Sequence, residues 1–164
     1  MAIILTDIKF LLSGGIFNND SNMSLGGNIS NTPVGNNIPH DVSGRMATVG
    51  GVDYRCIYVK NTNTNLILNS TKLWIQSNTT SPNTSIYIGL GLGGVNGVEN
   101  IIQNENTIPE GINFLESFNY NTSLSIGDLT PNQHYGFWIK RVINPGTQMT
   151  TDSFILRIQC DTYQ

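Results

Sequence analysis

The residues that could do chemistry are few in this chain and widely spaced. Its two histidines, His40 and His134, stand beside proline- or asparagine-rich turns, and neither has a cysteine or a second histidine at the spacing of metal ligands. Serine, aspartate and histidine are all present, but no Gly-x-Ser-x-Gly sequence supplies the nucleophile of a hydrolase triad. We therefore predict no catalytic residue and no metal-binding residue.

Carboxylates and glycines give no further signal of catalysis or cofactor binding. Glu110 and Glu116 could act as paired acids in glycoside hydrolysis, but nothing beyond their being acids supports that role. The glycine-rich residues 89–97 are not followed by Gly-Lys-Ser or Gly-Lys-Thr, so they lack the form of a phosphate-binding loop. We predict no cofactor, and we expect that the chain is not an enzyme.

Aromatic residues and cysteines leave alternatives open. Trp74 and Trp138 could stack on sugar rings, as in a carbohydrate-binding β-sandwich module, although we favour packing in the core. Cys56 and Cys160 both fall in predicted strands. They could pair as inter-sheet cysteines do, or remain two thiols as in a reducing cytoplasm. The sequence alone does not decide between these alternatives.

Charged residues are scarce and unevenly placed. They make up 12% of the chain, and the formal net charge is -3. No Lys or Arg occurs between Lys72 and Lys140, whereas five acidic residues fall in that span. Such a surface does not attract a phosphate backbone, so we expect no nucleic-acid partner. The apolar run at residues 3–5 is too short to span a bilayer, so we expect no membrane partner.

Apolar residues that alternate along the chain predict an all-β fold. Runs with strand periodicity, separated by turns rich in Gly, Pro and Asn, occupy residues 3–12, 54–59, 72–76, 85–92, 135–141 and 154–160. With the less regular pieces we expect seven or eight short strands in an immunoglobulin-like or jelly-roll-like β-sandwich. The glycines of residues 89–97 leave one side of a strand nearly bare, which predicts close approach by another backbone segment.

Residues 13–50 contain turn after turn without strand periodicity. A segment of this length within a compact domain is usually functional or disordered. We therefore divide the chain into residues 1–50, a first strand followed by an extended N-terminal arm, and residues 51–164, the β-sandwich domain.

Eight phrases distributed along nearly the whole chain carry a family resemblance. They are Ile8–Gly15, Ser24–Ser30, Asp41–Gly44, Asp53–Asn61, Asn96–Glu99, Ile108–Ile112, Trp138–Gly146 and Asp152–Arg157. In these phrases the chain resembles a group of structural proteins from the virions of tailed bacteriophages. The resemblance implies a virion protein that is assembled in the host bacterial cytoplasm. It also implies that the partners are the major capsid protein or other virion structural proteins, and we expect a homo-oligomer.

Three functional hypotheses follow, in order of preference. The first is a capsid decoration or cement protein that stabilises the phage head by binding the major capsid lattice, with the arm laid across a neighbour. The second is a ring or adaptor protein of the neck, tail or baseplate, and the third is a carbohydrate-binding module. The residues that we expect to contact a partner are Ile8, Phe10, Leu12, Leu25, Ile29, Val34, Ile38, Lys140 and Arg141.

Overall fold

A computed structural model describes residues 3–36, 38–39, 41–146 and 152–161 of the chain. Its eight strands are β1 (Ile8–Ser13), β2 (Ile29–Pro33), β3 (Gly51–Asn61), β4 (Leu68–Ser77), β5 (Thr84–Val95), β6 (Leu124–Leu129), β7 (His134–Ile143) and β8 (Ile155–Asp161). The described helices are α1 (Gly44–Val49) and three 3-10 turns at Leu5–Asp7, Ser21–Met23 and Tyr120–Thr122. The predicted all-β fold is confirmed. No helix in the described ranges is long and apolar enough to cross a bilayer.

The strands form two antiparallel sheets packed face to face. One sheet has five strands in the order β2-β1-β3-β7-β5, and the other has three in the order β6-β4-β8. Alternate residues of β3 and β7, among them Ile57, Val59, Phe137 and Ile139, point between the sheets and are almost fully buried. This inter-sheet core is the sandwich that the alternating sequence predicts.

The five-stranded sheet is also covered on its outer face. Tyr54, Cys56, Tyr58 and Trp138 point away from the inter-sheet core, yet each is at most 5% exposed. Leu25, Ile102, Ile112 and Phe114, from two segments between strands, and Ile29, at the start of β2, pack against them. The central strand β3 is therefore buried on both faces, which explains its unbroken buried run from residue 53 to residue 59.

The segment that we predicted as an extended arm belongs to the sheet. β1 pairs with β3 from Ile8–Asn61 to Leu12–Ile57, and β2 adds to the other side of β1. Leu12 is 2% exposed because it lies in the inter-sheet core. Residue 50 is consequently not a domain boundary, since the strands before it and after it share hydrogen bonds and one core.

The predicted approach of backbone to the glycines of β5 is confirmed. A Cβ on Gly89 would lie 2.7 Å from the carbonyl oxygen of Asn113, and a Cβ on Gly93 would lie 2.9 Å from that of Val98. A Cβ on Gly91 would overlap the carboxylate of Glu99. Residues 98–113 can therefore lie flat on the outer face of the sheet only because these positions carry no side chain.

Candidate functional site

A group of exposed apolar side chains lies beside an open depression on the covered side of the five-stranded sheet. The depression, about 400 Å³ in volume, is lined by Gly14, Gly15, Gly27, Asn28, Val98, Glu99, Asn100 and Ile101. Two exposed apolar residues, Val98 and Ile101, line the depression itself. Three more adjoin its Gly14–Gly15 side: Ile16 and Phe17 follow Gly15 in the chain, and the carbonyl oxygen of Met23 would lie 2.8 Å from a Cβ on Gly14. We call these five residues the apolar rim. Each of these side chains is more than half exposed, and Phe17 reaches 92%.

A tight turn after β1 presents two residues of the rim. Gly14 and Gly15 adopt φ values of +102° and +100°, which a residue with a Cβ adopts only with strain. The N–H of Asn18 donates to the carbonyl of Gly15 at 2.9 Å, so Ile16 and Phe17 occupy the two central positions of the turn. The turn thus points two apolar side chains outward on a closely held backbone.

Glu99 holds the opposite side of the rim against the sheet. Its carboxylate is buried and accepts hydrogen bonds from the backbone N–H groups of Leu92 at 3.1 Å and Gly93 at 3.0 Å. It also accepts from the indole N–H of Trp138 at 3.2 Å. Hydrogen bonds to a buried charged group are stronger than neutral ones, so Glu99 fixes its neighbour Val98 in place.

Tyr58 joins the two halves of the rim. Its hydroxyl donates to the carbonyl of Gly27 at 2.7 Å and accepts from the backbone N–H of Glu99 at 3.0 Å. The N–H of Gly27 donates in turn to the carbonyl of Glu99 at 2.9 Å. These three bonds close a ring between residue 27 and residue 99, which makes the two segments one surface.

A pair of buried serines holds the Gly26–Gly27 segment from below. The hydroxyl of Ser24 donates to the carbonyl of Cys56 at 2.7 Å and accepts from the N–H of Ser13 at 2.8 Å. The hydroxyl of Ser13 accepts from the N–H of Gly26 at 3.1 Å. These hydrogen bonds hold the backbone beneath the rim in one conformation before a partner binds. Binding therefore does not have to restrict that backbone further.

The Cys56 thiol and the Tyr58 phenol beneath the rim are held in their neutral forms. Burial raises the pKa of the Cys56 thiol well above its usual range, and the charge of Glu99 raises it further. Burial, followed by the charges of Cys56 and Glu99, likewise raises the pKa of the Tyr58 phenol. A thiol with a raised pKa is a poor nucleophile, so this cluster is suited to holding structure rather than to covalent chemistry.

Most residues that we expected to contact a partner contact the chain itself. Leu12 and Ile38 are buried in the inter-sheet core, and Ile8, Phe10 and Val34 pack against it while half-buried. Leu25 and Ile29 pack against the outer cluster around Tyr58. The alternating pattern correctly indicated a buried face, but Leu12 and Ile38 are buried by this chain's own strands and leave no surface for a partner.

The predicted basic pair of β7 is divided between two environments. Arg141 is 6% exposed and forms an ion pair with Asp53, its cross-strand neighbour on β3. Its guanidinium is therefore bound within the chain and does not provide the partner contact that we predicted. Lys140 is half-buried, with its ammonium 5.2 Å from the ring centre of Tyr87 and 5.9 Å from that of Phe114.

The tryptophans do not form an open platform for sugars. Trp138 is 1% exposed. Trp74 is 7% exposed, because the guanidinium of Arg157 lies 5.6 Å from its ring centre and Tyr120 packs edge-on at 6.0 Å. Since neither ring offers a free face for stacking, the geometry does not support the carbohydrate-binding alternative.

The remaining candidates for chemistry are dispersed. His134 packs edge-on against Tyr58 at 5.3 Å, and burial together with the charge of Lys60 lowers its pKa, whereas His40 lies outside the described residues. Cys56 and Cys160 are both free thiols. Within the ranges that the structure describes, no three His, Cys, Asp or Glu side chains converge on a point where they could hold a metal ion.

Sequence comparisons assign the chain to no family. No protein-family model matches it, and no curated protein matches it either. The resemblance to virion proteins of tailed phages therefore remains an expectation from the sequence phrases, and the case for function depends on the apolar rim and the contacts that hold it.

Proposed function

We propose that this chain is a non-enzymatic structural protein of a tailed-phage virion, and that it decorates the capsid by binding the major capsid protein. The observation that carries the proposal is the apolar rim, in which five exposed apolar side chains stand beside segments that the Tyr58 hydroxyl ties together. The sequence resemblance to virion proteins supplies the biological setting.

A protein partner suits the rim better than a small ligand. Pockets for small molecules enclose most of the ligand surface, whereas the depression beside the rim is open to solvent and its neighbouring side chains project outward. Contiguous exposed apolar residues on a soluble protein commonly mark a protein interface. Phe17 is the natural anchor, because large aromatic side chains dominate the binding energy of such interfaces.

Point substitutions in the rim test the proposal. Deletion of residues 1–50 would remove two strands of the five-stranded sheet, so it cannot separate binding from folding. The double variant Phe17→Ser/Ile101→Ser removes two exposed side chains and should leave the core intact. We expect it to lose co-sedimentation with phage heads that lack this protein, by about tenfold or more in affinity.

The matched control is Ile67→Ser, which changes an exposed apolar residue in the connection between β3 and β4. This variant should co-sediment as the unchanged protein does. Thermal unfolding midpoints establish that both variants are folded. If the rim variant is folded and still saturates the heads at the same concentration, the rim is not the docking surface and the proposal fails.

A further inference from the structure

We infer that the outer edge of β8 is a self-association site, where a second copy of this chain adds its own β8 in antiparallel orientation. The three-stranded sheets of the two copies would then join into one six-stranded sheet around a twofold axis. This inference does not depend on the virion role, because it follows from the edges of the sheet and the charges on one strand.

The first support is the contrast between two edges of the sandwich. β5, at the edge of the five-stranded sheet, is capped: the side chain of Asn78 accepts from the N–H of Ile86 at 2.9 Å and donates to its carbonyl at 3.1 Å. Leu115 exchanges two backbone hydrogen bonds with Ile88, the next residue along that edge. Edges blocked in this way cannot accept another strand.

β8 has no such cap in the part of the chain that the structure describes. It pairs with β4 on one side, from Asn69–Asp161 to Ser77–Ile155, and no described strand or side chain bonds its other side. A free edge presents a row of unpaired N–H and C=O groups, which is the template for pairing with another strand. The described residues therefore leave this edge open to a further strand.

The second support is the incomplete burial of the inner face of β8. Leu156, Ile158 and Cys160 pack against the inter-sheet core but remain half-buried, whereas their neighbours Leu73 and Ile75 on the central strand β4 are fully buried. The core is thus exposed along this side of the sandwich. A further strand would cover these three side chains and remove apolar surface from water.

The third support is that the charges on β8 are self-complementary. The outward, exposed positions are Ile155, Arg157, Gln159 and Asp161. When two copies pair antiparallel with the twofold axis at Gln159, Arg157 of each copy lies opposite Asp161 of the other. Opposite charges directly across a strand pair are stabilising and like charges are destabilising, so the charges select this register.

Charge exchange on β8 tests the register. The variant Arg157→Asp places two acids opposite each other and should make the chain monomeric in sedimentation-velocity experiments on the 18.0 kDa protein. The double variant Arg157→Asp/Asp161→Arg restores both opposite pairs and should restore the dimer. Lys9→Asp, at an exposed position of β1, is the matched control and should stay dimeric.

Disulfide trapping tests the axis itself and detects a weak dimer. In a Cys160→Ser background, Gln159→Cys puts the new thiol opposite its own copy, so it should form an intermolecular disulfide rapidly under mild oxidation. Ser125→Cys, at an exposed position of the other edge strand β6, is the control and should cross-link slowly. Near-ultraviolet circular dichroism verifies that the variants are folded.

Two results would overturn the inference. The first is a protein that sediments as a monomer at every concentration and in which the Gln159→Cys variant cross-links no faster than the Ser125→Cys variant. The second is a dimer that Arg157→Asp leaves intact, or that the double charge exchange fails to restore. Dimerisation that follows the charges, together with rapid trapping at position 159, would establish the site.

Discussion

Glu99 holds one side of the apolar rim through its buried carboxylate. It lies in a glycine-rich, polar stretch and looks in the sequence no different from the exposed Glu110. What distinguishes it is the set of glycines around its carboxylate: a Cβ on Gly91 or on Gly136 would collide with it. The sequence pattern predicts that Gly91 is one of several glycines on the bare side of β5. It does not show that the Glu99 carboxylate occupies the space beside Gly91.

Glu99→Gln tests the carboxylate as a hydrogen-bond acceptor. Its two oxygens accept from three N–H groups, and a glutamine side chain has one oxygen, so at least one donor loses its partner. We expect the free energy of unfolding to fall by about 2 kcal/mol in urea titrations. Glu110→Gln, at an exposed position, should change it little. Equal stability of the two variants would contradict the role of Glu99.

Gly91→Ala tests the space that Glu99 occupies. The added methyl group would overlap the carboxylate, which has no room to move while it holds its donors. We expect a loss of roughly 2 kcal/mol in unfolding free energy, typical of overpacking in a closed site. Gly35→Ala is the control, because nothing lies within 4 Å of its added Cβ. Calorimetry measures the stability of both variants. A Gly91→Ala variant as stable as Gly35→Ala would contradict the prediction.

At the scale of elements, the strands with alternating apolar residues could be predicted and the others could not. β5 and β7 alternate, β3 is rich in aromatic and β-branched residues, and all three appear close to the expected positions. β2 has only Ile29 as an apolar residue before the polar sequence Ser30–Pro33, so its pairing with β1 left no periodic trace. An alternating apolar pattern does not distinguish a side chain buried against a partner from one buried within its own chain. For this reason the sequence predicts partner contacts for Leu12 and Ile38, which lie in the inter-sheet core.

The cap on β5 gives a prediction about a whole strand. Asn78→Ala would leave both the N–H and the carbonyl of Ile86 without their protein partner at the edge of the sheet. We expect a loss of about 1 kcal/mol in stability, and faster aggregation as the edge becomes accessible. Light scattering during incubation measures the second effect. Asn65→Ala, in an exposed turn, is the control and should aggregate at the unchanged rate.

At the scale of the whole molecule, one buried cysteine and three tyrosines make stability depend on pH in the alkaline range. Burial raises the pKa of Cys56 and Tyr58, and also that of Tyr54 and Tyr135. As pH rises, these groups lose protons first in the unfolded chain, so the unfolded state binds fewer protons and stability falls. The neutral thiol and phenols make their full contribution to the free energy of unfolding below the unfolded pKa values of about 8.5 to 10. This contribution is lost as the pH rises above those values.

Tyr58→Phe tests this dependence. The variant removes one buried ionisable group and two hydrogen bonds, so it should be less stable at neutral pH and should lose stability less steeply between about pH 9 and 11. Tyr120→Phe, at a position 43% exposed, is the control for the loss of a tyrosine hydroxyl outside this buried cluster. Urea titrations at several pH values measure both quantities. An unchanged slope in Tyr58→Phe would contradict the assignment.

The central claim is that this chain decorates a phage capsid, and its copy number in the particle tests it most directly. Quantitative mass spectrometry of purified virions gives the ratio of this chain to the major capsid protein. A decoration protein follows the symmetry of the shell, so we expect on the order of hundreds of copies per particle. Only about six to twelve copies would place it on the axis of the neck or tail, and its absence from particles would contradict a virion role altogether.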